Sequence, residues 1–393
     1  MKIIFTLLFF LHGTIHLMGF LKGYNLVSVP ALQADISRTG SIFWLMAFLL
    51  FSLSGIAFLM GKTFWHIPAI MGVMVSILLT ATVWSGAKFG LIPNLLILVV
   101  AIGSISSANL DQMIARETHQ IMASPSTSAP KTITADQLVT LPAPVQRWLR
   151  KSGMIGKPRI QTGWVKQKAR MKMKPEQEKW HKAEATQYFT TDPPAFIWTV
   201  DLKMSSLAHI KGRDKFTDGK GEMLIRLNSL LNVVNEKGPK MDEGTMQRFL
   251  GEMVWYPSAA LSPYVTWDPL DDRSAKATMS YLGTSGSGVF YFNENGDFTR
   301  FSAMRFMGNE PGAKRHEWII RVKDYATFDH IRVPSKMEAL WKLEQGDWTW
   351  LQLEIEDLQF NIDRCHYFSS HWQIFPKFMK FAIRVFGCCQ DQA

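Results

Sequence analysis

The stretch Val289-Phe-Tyr-Phe-Asn-Glu-Asn-Gly-Asp-Phe-Thr-Arg-Phe301 decides the fold class of the larger part of the chain. Two short runs rich in aromatic residues flank Asn295-Gly296, a dipeptide that favours two-residue hairpin turns because both of its residues adopt positive φ readily. The stretch therefore predicts a β-hairpin, with Val289–Phe292 as one strand and Phe298–Phe301 as the other.

Runs of the same kind lie on both sides of this hairpin, separated by turn residues such as those of Asp218-Gly219 and Gln345-Gly346-Asp347. Around ten strands joined by short turns predict a mostly antiparallel β domain over residues 132–361, with a curved or barrel-like sheet. The candidate strands are 159–174, 181–191, 195–204, 207–217, 220–228, 274–282, 286–293, 297–306, 316–325, 331–343 and 347–361.

An amphipathic helix is predicted between the strands, over residues 242–256. Asp242 suits its N-cap position, and Pro257 should stop or kink it. Trp255 falls on the polar face beside Arg248, where a tryptophan needs a partner such as a loop, the sheet rim, a ligand or the membrane. The apolar residues form one stripe, which we expect to lie across the sheet: Met246, Phe249, Leu250, Met253 and Val254.

Residues 1–110 differ in composition from the rest, because Asp35 is their single acidic residue. They contain apolar runs close to the ~20 residues with which a helix crosses a bilayer. The predicted fold class is thus a membrane anchor of about four transmembrane helices, followed by an α+β soluble domain dominated by a curved antiparallel sheet with a helix across it. The apolar runs are about 3–20, 41–60, 64–84 and 91–108.

Three further predictions concern the linker, the end of the chain and the location of the protein. Residues 111–131 include a small, polar, proline-rich stretch and are assigned to a linker. Residues 362–393 form a basic, aromatic extension that either lies in the membrane interface or packs back on the domain. We expect a multi-pass protein of the bacterial inner membrane. Lysine and arginine counts are nearly balanced across it, but Lys2 and the basic stretch beyond Arg116 favour a cytoplasmic domain.

His12 and His16 are the most polar side chains of the first apolar run, and their i, i+4 spacing places them on one helical face. They are either a metal or haem ligand pair or part of a contact between helices. No matching ligand pair occurs in the other runs, so we favour the contact and predict no metal and no cofactor. Asn94 is expected to serve as another hydrogen-bonding partner between helices.

A row of cations, Lys166, Lys168, Arg170, Lys172 and Lys174, alternates with less polar residues, so a strand would carry the charges on one face. The row is either a solvated outer face or a surface for anionic lipid headgroups, worth about 1 kcal/mol per cation. Nucleic acid is a weaker alternative, since no recognised nucleic-acid module accompanies the charge. The sequence identifies no protein partner.

No catalytic motif appears: there is no Walker phosphate loop, no G-x-S-x-G elbow and no H-E-x-x-H pair. The cysteines Cys365, Cys388 and Cys389 match neither a disulfide framework nor a zinc spacing. An enzyme is therefore not favoured. Candidate catalytic residues are Glu252, Asp272, Arg273 and Asp214, and candidate ligand-binding residues are Trp255, Tyr256, Arg213 and Met253.

The chain resembles a bacterial family of membrane proteins whose domain has no assigned function. The resemblance extends over about residues 1–361 and implies the four spans and the C-terminal domain, but no reaction. Its motifs include LHGTIHLMGF at 11–20, LPAPVQRWL at 141–149, GRD at 212–214, GKGEM at 219–223 and EMVWYP at 252–257. The β portion also resembles the lipoprotein-carrier half-barrel, a curved sheet with a helical lid over an apolar hollow. That carrier works outside the cytoplasm, which conflicts with the side predicted above.

Three functions remain open at this stage. The leading hypothesis is a membrane-tethered domain that binds an apolar ligand, such as lipid, between the sheet and helix 242–256. The second is an enzyme acting on a membrane-associated substrate. The third is an interaction module without a pocket, which would show an exposed apolar patch around Trp255. The observation that separates them is whether the β domain is hollow.

Overall fold

The structure is a computed structural model that describes residues 2–362 except 31, 33, 126–129 and 206–207. The cysteines and the Trp372–Phe386 stretch of the C-terminal extension lie outside the described residues. The chain divides into two compact units, Met1–Leu110 and Asp111–Ala393.

The first unit is helical, as predicted. Within the described residues, four segments are long and apolar enough to cross a membrane: Lys2–Gly23, Arg38–Leu59, Thr63–Thr82 and Trp84–Ala123. The α-helices are α1 (Lys2–Gly23), α2 (Arg38–Leu59), α3 (His66–Thr82), the short α4 (Trp84–Ala87) and α5 (Leu91–Ala123).

Hydrogen bonds between buried polar side chains link α1, α3 and α5. His12 Nε2 lies 2.8 Å from Asn94 Oδ1, and Asn94 Nδ2 donates to Ser76 Oγ at 2.8 Å. His16 Nε2 also lies 2.8 Å from Ser76 Oγ, and its Nδ1 lies 2.8 Å from the carbonyl oxygen of His12. The histidines thus take part in a contact between helices, where such bonds satisfy polar groups that lipid cannot.

Helix α5 is longer than the sequence indicated, because residues 111–123, assigned to the linker, continue it. Acidic residues of this part pair with cations of the sheet: Asp111 with Lys211, and Glu117 with both Arg213 (3.1 Å) and Lys215 (2.9 Å). Ile121 and Met122 are buried in the same region. These contacts stabilise helical turns that propensity alone would leave marginal.

The second unit is built on one antiparallel sheet, which has thirteen strands in the described part of the chain and curls into a half-barrel. Its spatial order is β6-β5-β4-β3-β2-β1-β13-β12-β11-β10-β9-β8-β7. The strands are β1 (Thr162–Met171), β2 (His181–Thr191), β3 (Pro194–Lys203), β4 (His209–Thr217), β5 (Lys220–Leu227), β6 (Leu231–Lys237), β7 (Val265–Asp271), β8 (Ser274–Tyr281), β9 (Thr284–Phe292), β10 (Phe298–Phe306), β11 (Arg315–Phe328), β12 (Ile331–Leu343) and β13 (Gly346–Phe360). A short helix, α6 (Ala143–Lys151), precedes them.

The sequence analysis missed β6 and β7, which are the two edges of the sheet. β6 is mostly exposed and lacks a buried face, while β7 contains Pro269 and several acids. Proline and charge weaken a strand signal, and both are tolerated at an edge because an edge strand has a free side. The hairpin β9–β10 is confirmed, but its loop spans Asn293–Asp297 instead of two residues, with Gly296 at positive φ.

Helix α7 (Pro239–Glu252) packs against the inner face of the sheet and buries Met246, Phe249 and Leu250. It begins at Pro239, three residues before the predicted start, because proline suits the first helical turn. Asp242 is not its N-cap. The Asp242 carboxylate instead accepts hydrogen bonds from the backbone N–H of Gly221 (2.8 Å) and from Lys220 Nζ (3.0 Å).

Glycines let side chains and the helix approach the sheet closely. A Cβ on Gly288 would lie 2.2 Å from Cζ of Phe301, and one on Gly251 of α7 would lie 2.8 Å from Phe301 Cδ1. Most of the glycine-rich run Gly283–Gly288 belongs to strand β9, and the missing side chain of Gly288 leaves room for the Phe301 ring.

Gly288→Ala should lower the unfolding free energy by about 1–3 kcal/mol, because the added methyl group overpacks the Phe301 ring. The melting temperature of the full chain in a mild detergent measures the effect. Ser285→Ala, at an exposed position of the same strand, is the control. An unchanged melting temperature for Gly288→Ala would show that the ring can move aside.

Candidate functional site

A cavity of about 330 Å³ lies in the second unit. It is bounded by α7, by the 3-10 turn Met253–Trp255 that follows it (the Trp255 turn), and by strands β3–β5 and β10–β13. Its size falls in the range of ~300–1,000 Å³ that ligand pockets occupy. The polar lining residues are Asp214, Arg248, Glu252, Arg305 and Glu338. The others are apolar: Trp198, Met223, Trp255, Met307, Trp318, Ile320, Met337, Ala339, Trp341, Trp348, Trp350, Leu351 and Leu353.

A β-bulge explains how β13 supplies so many cavity residues. Strand alternation alone would send Trp350 and Leu351 to opposite faces. The pairing with β12 steps from Leu340↔Thr349 to Ala339↔Leu351, which leaves Trp350 as an extra residue. Such a bulge re-aims a side chain while the strands on both sides continue. Trp348 and Trp350 therefore line the same cavity as Leu351 and Leu353.

Arg248 is the centre of a polar cluster on one side of the cavity. Its Nε donates to Glu252 Oε1 at 2.7 Å, as expected for an i, i+4 pair on α7, and its Nη1 donates to Asp214 Oδ2 at 2.6 Å. Gln187 completes the cluster, accepting from Arg248 Nη2 at 3.1 Å and donating to Glu252 Oε2 at 2.9 Å. The guanidinium also lies over the Trp198 ring, 4.8 Å from its centroid.

Burial raises the pKa of the Asp214 carboxyl above its ordinary value, although the adjacent Arg248 acts in the opposite direction. Burial alone would lower the pKa of Arg248, but the carboxylates of Glu252 and Asp214 outweigh it and raise that pKa. The cluster thus holds Arg248 as a permanent cation shared between two acids.

Arg305 of β10 also lines the cavity, but it contacts tryptophan rings instead of carboxylates. Its guanidinium stacks over Trp318, 4.3 Å from the ring centroid, and lies 5.8 Å from the centroid of Trp341. Within the described residues it makes no hydrogen bond or ion pair, and its Nε is buried without a partner. Burial, followed by the nearby charge of Arg248, lowers the pKa of Arg305 to about 10, so it remains charged at neutral pH.

Comparison with known proteins adds a family to this geometry. Residues 131–353, more than half of the chain, match the family of unknown function DUF6544. The chain belongs to this family. All residues that line the cavity fall within the matched range, so the cavity lies in the part of the chain that the family model covers. The resemblance to a family without an assigned function is thereby confirmed.

A solved structure is weakly similar to the chain. The crystal structure of LolA superfamily protein NE2245 from Nitrosomonas europaea is 11% identical in sequence, covers 60% of this chain and 98% of its own, and gives a TM-score of 0.29. This likeness concerns the fold alone. No curated protein matches the chain.

The family domain brings together only part of the predicted site residues. Glu252, Asp214 and Trp255 line the cavity. Tyr256 and Met253 are buried in the core next to it, where the Tyr256 hydroxyl donates to the carbonyl oxygen of Phe249 at 2.9 Å.

Three candidates lie away from the cavity. Arg213 pairs with Glu222 at 3.2 Å and with Glu117. Asp272 and Arg273 lie at the exposed β7–β8 turn, with Arg273 3.2 Å from Glu294. The predicted catalytic set is therefore not assembled at one place.

The cationic row of β1 lies on the face opposite its buried residues, as the alternation predicts. Acids of the neighbouring strand offset part of its charge, since Lys166 and Lys168 pair with Glu356 at 3.4 and 2.5 Å. Arg170 and Lys172 lie over the ring of Trp180. Lys174 follows the end of the strand. Contact of this row with lipid headgroups remains a prediction.

The two cavity arginines should differ in how much unfolding free energy is lost when their charge is removed. Arg248→Met leaves two buried carboxylates without their shared cation and should cost about 3–5 kcal/mol of unfolding free energy. Arg305→Met removes a desolvated cation and keeps packing on Trp318, so the change should stay within about 1 kcal/mol. Melting of both full-length variants, without added ligand, measures the difference. Equal losses would contradict the assignment of Arg248 alone as the structural arginine.

Proposed function

We propose that the domain binds the apolar part of an amphiphilic ligand, such as a membrane lipid, and that the N-terminal helices tether it to a membrane. The observation that carries the proposal is the cavity itself, walled by tryptophan, methionine and aliphatic side chains. Protein interiors are close-packed, and a hollow forfeits contacts that its wall could otherwise make. A ligand that fills the hollow restores those contacts.

Catalysis has weaker support. The enzyme hypothesis requires a pocket with two or more of the candidate groups at shifted pKa. Glu252 and Asp214 do line the cavity, and burial raises the pKa of Asp214. However, Arg248 and Gln187 occupy oxygens of these carboxylates at hydrogen-bonding distance. Groups engaged in this way are less suited to accept a proton from a substrate.

The interaction-module hypothesis predicted an exposed apolar patch around Trp255, and this is not found. Trp255 is 1% exposed, and its indole N–H donates to the carbonyl oxygen of Pro334 at 3.1 Å. Its partner is therefore the sheet, and its ring forms part of the cavity wall.

Filling the cavity should abolish binding of an apolar probe. The probe is methyl 9,10-dibromostearate, whose bromine atoms quench tryptophan on contact, added to the delipidated full chain in a neutral detergent. Saturable quenching is expected for the wild type. Ala339→Trp should remove it, because the new indole occupies the hollow, and the smaller Ala339→Leu should weaken it.

The control for this experiment is Thr327→Trp, which adds the same indole at an exposed position of the neighbouring strand β11. It should bind the probe like the wild type. Absence of saturable quenching in the wild type, or equal quenching in Ala339→Trp, would refute a lipid-binding cavity. Melting temperatures establish that each variant is folded.

We further propose that the domain lies on the cytoplasmic side of the bacterial inner membrane. Four candidate spans among the described residues would place both chain ends on the same side, and Lys2 precedes the first of them. Cytoplasmic ends are the ones enriched in lysine and arginine.

Reporter fusions at Ala393 in a bacterial host test this topology. A fluorescent protein that matures only in the cytoplasm should be bright, and alkaline phosphatase, which requires export, should be inactive. An active phosphatase fusion would place the domain outside and reverse the proposal. The fusions at Gly61, between the second and third candidate spans, are expected to give the same pattern as those at Ala393.

A further inference from the structure

The charges that face the cavity are unequally matched with partners. Asp214 and Glu252 are both held by Arg248, and Glu338 pairs with Lys323 at 2.9 Å and accepts from Gln352 at 3.0 Å. Arg305 has no such partner among the described residues. The residue is half-buried and its Nε is fully buried. Since a cation partly removed from water without a partner is costly, its presence in this wall calls for a compensating group.

The other unsatisfied polar atoms of the wall have the same character as Arg305. In the described part of the chain, the buried side-chain atoms of lining residues that lack a partner are Arg305 Nε and the indole nitrogens of Trp318, Trp348 and Trp350. Each of these atoms carries a hydrogen and can only donate. Because these unsatisfied atoms are all donors, the wall complements a group rich in acceptors, such as an anion.

We propose that Arg305 binds the anionic head group, a carboxylate or phosphate, of an amphiphile whose apolar tail packs among the cavity tryptophans. This inference rests on the proposed function and adds the charge of the ligand and its orientation in the cavity. A guanidinium is suited to the task, because its planar array of donors matches two oxygens of a carboxylate or phosphate. Stacking on Trp318 fixes the plane of that array in advance, which lowers the ordering cost of binding.

The electrostatics of the cavity favour Arg305 over Arg248 as the binding group. Arg248 already donates to Asp214 and Glu252, so its guanidinium is occupied and an anion beside it would meet the oxygens of two acids. Arg305 lies beneath α7, where its Nη2 would be 3.1 Å from a Cβ placed on Gly244. The helix therefore covers that side of the guanidinium, and the head group is expected on its cavity side, with the tail along the apolar wall that includes Met337, Ala339 and Leu351.

Matched ligands and matched variants test the inference. Tryptophan quenching of the delipidated full chain in a neutral detergent compares 9,10-dibromostearic acid with its methyl ester at pH 8. The wild type should bind the acid about tenfold more tightly or better, the size of one favourable charged contact. Arg305→Met should bring the acid to the affinity of the ester and leave the ester unchanged, and Arg305→Lys should retain part of the preference.

Arg300→Met is the control, because Arg300 belongs to the same strand but stacks on Tyr291 outside the cavity, and it should keep the wild-type preference. Two further arms use sodium acetate and sodium phosphate without a tail, which should not displace the acid. Displacement by either salt at millimolar concentration would mean that a free anion is the ligand. It would overturn the proposal that the ligand is an amphiphile.

The results separate the two proposals. If acid and ester bind the wild type equally, or if Arg305→Met keeps the preference, the role of Arg305 is refuted while the apolar cavity stands. If neither probe quenches saturably, the proposed function fails together with the inference. The ester serves in every variant as the measure of an intact cavity.

Discussion

The second unit depends on how the chain gets from one edge of its sheet to the other. Strands β6 and β7 follow one another in sequence, yet they are the opposite edges of the sheet. The connection must therefore cross the whole inner face, and α7 together with the Trp255 turn makes the crossing. An open curved sheet would expose an apolar face to water, and the connection that spans it covers part of that face.

One helix does not fill the whole inner face. Gly251 of α7 lies close to the Phe301 ring, and the ring centroids of Phe249 and Phe216 are 5.8 Å apart. The side of α7 that carries Arg248 and Glu252 instead faces the hollow. Core packing and cavity wall thus belong to two faces of the same element. A substitution that reshapes the wall therefore need not disturb the stripe.

Much of the architecture could be predicted from local signals. Apolar runs of near-bilayer length predicted the spans, and the Asn295-Gly296 signal with its alternating neighbours predicted the β9–β10 hairpin. The predictions that were wrong concern features that depend on how strands pair and how the helix packs. The edge strand β6 lacks a buried face because an edge needs none. The first turn of α7 is set by Pro239, while Asp242 serves a tertiary contact instead.

The candidate site could be predicted only in part for a similar reason. Glu252, Asp214 and Trp255 were found because they lie near a clear helix or in short motifs. In the sequence, Arg305 looks like any surface arginine of an alternating strand. Arg300 lies on the same strand and looks the same, yet it is outside the cavity. Only the register with β11 and the proximity of Trp318 distinguish them. The bulge at Trp350 also made its neighbours hard to predict as cavity residues, because it breaks the two-residue period on which strand predictions rest.

That bulge has a consequence for how relatives of this chain can differ in length. Because Trp350 is the extra residue, its deletion would leave Trp348 opposite Trp341 and Leu351 opposite Ala339, as they are now. The strand would lose its bulge and keep its register, and the cavity would gain the volume of one indole. A change of a single codon could therefore alter the size of the cavity while the register of the sheet is kept.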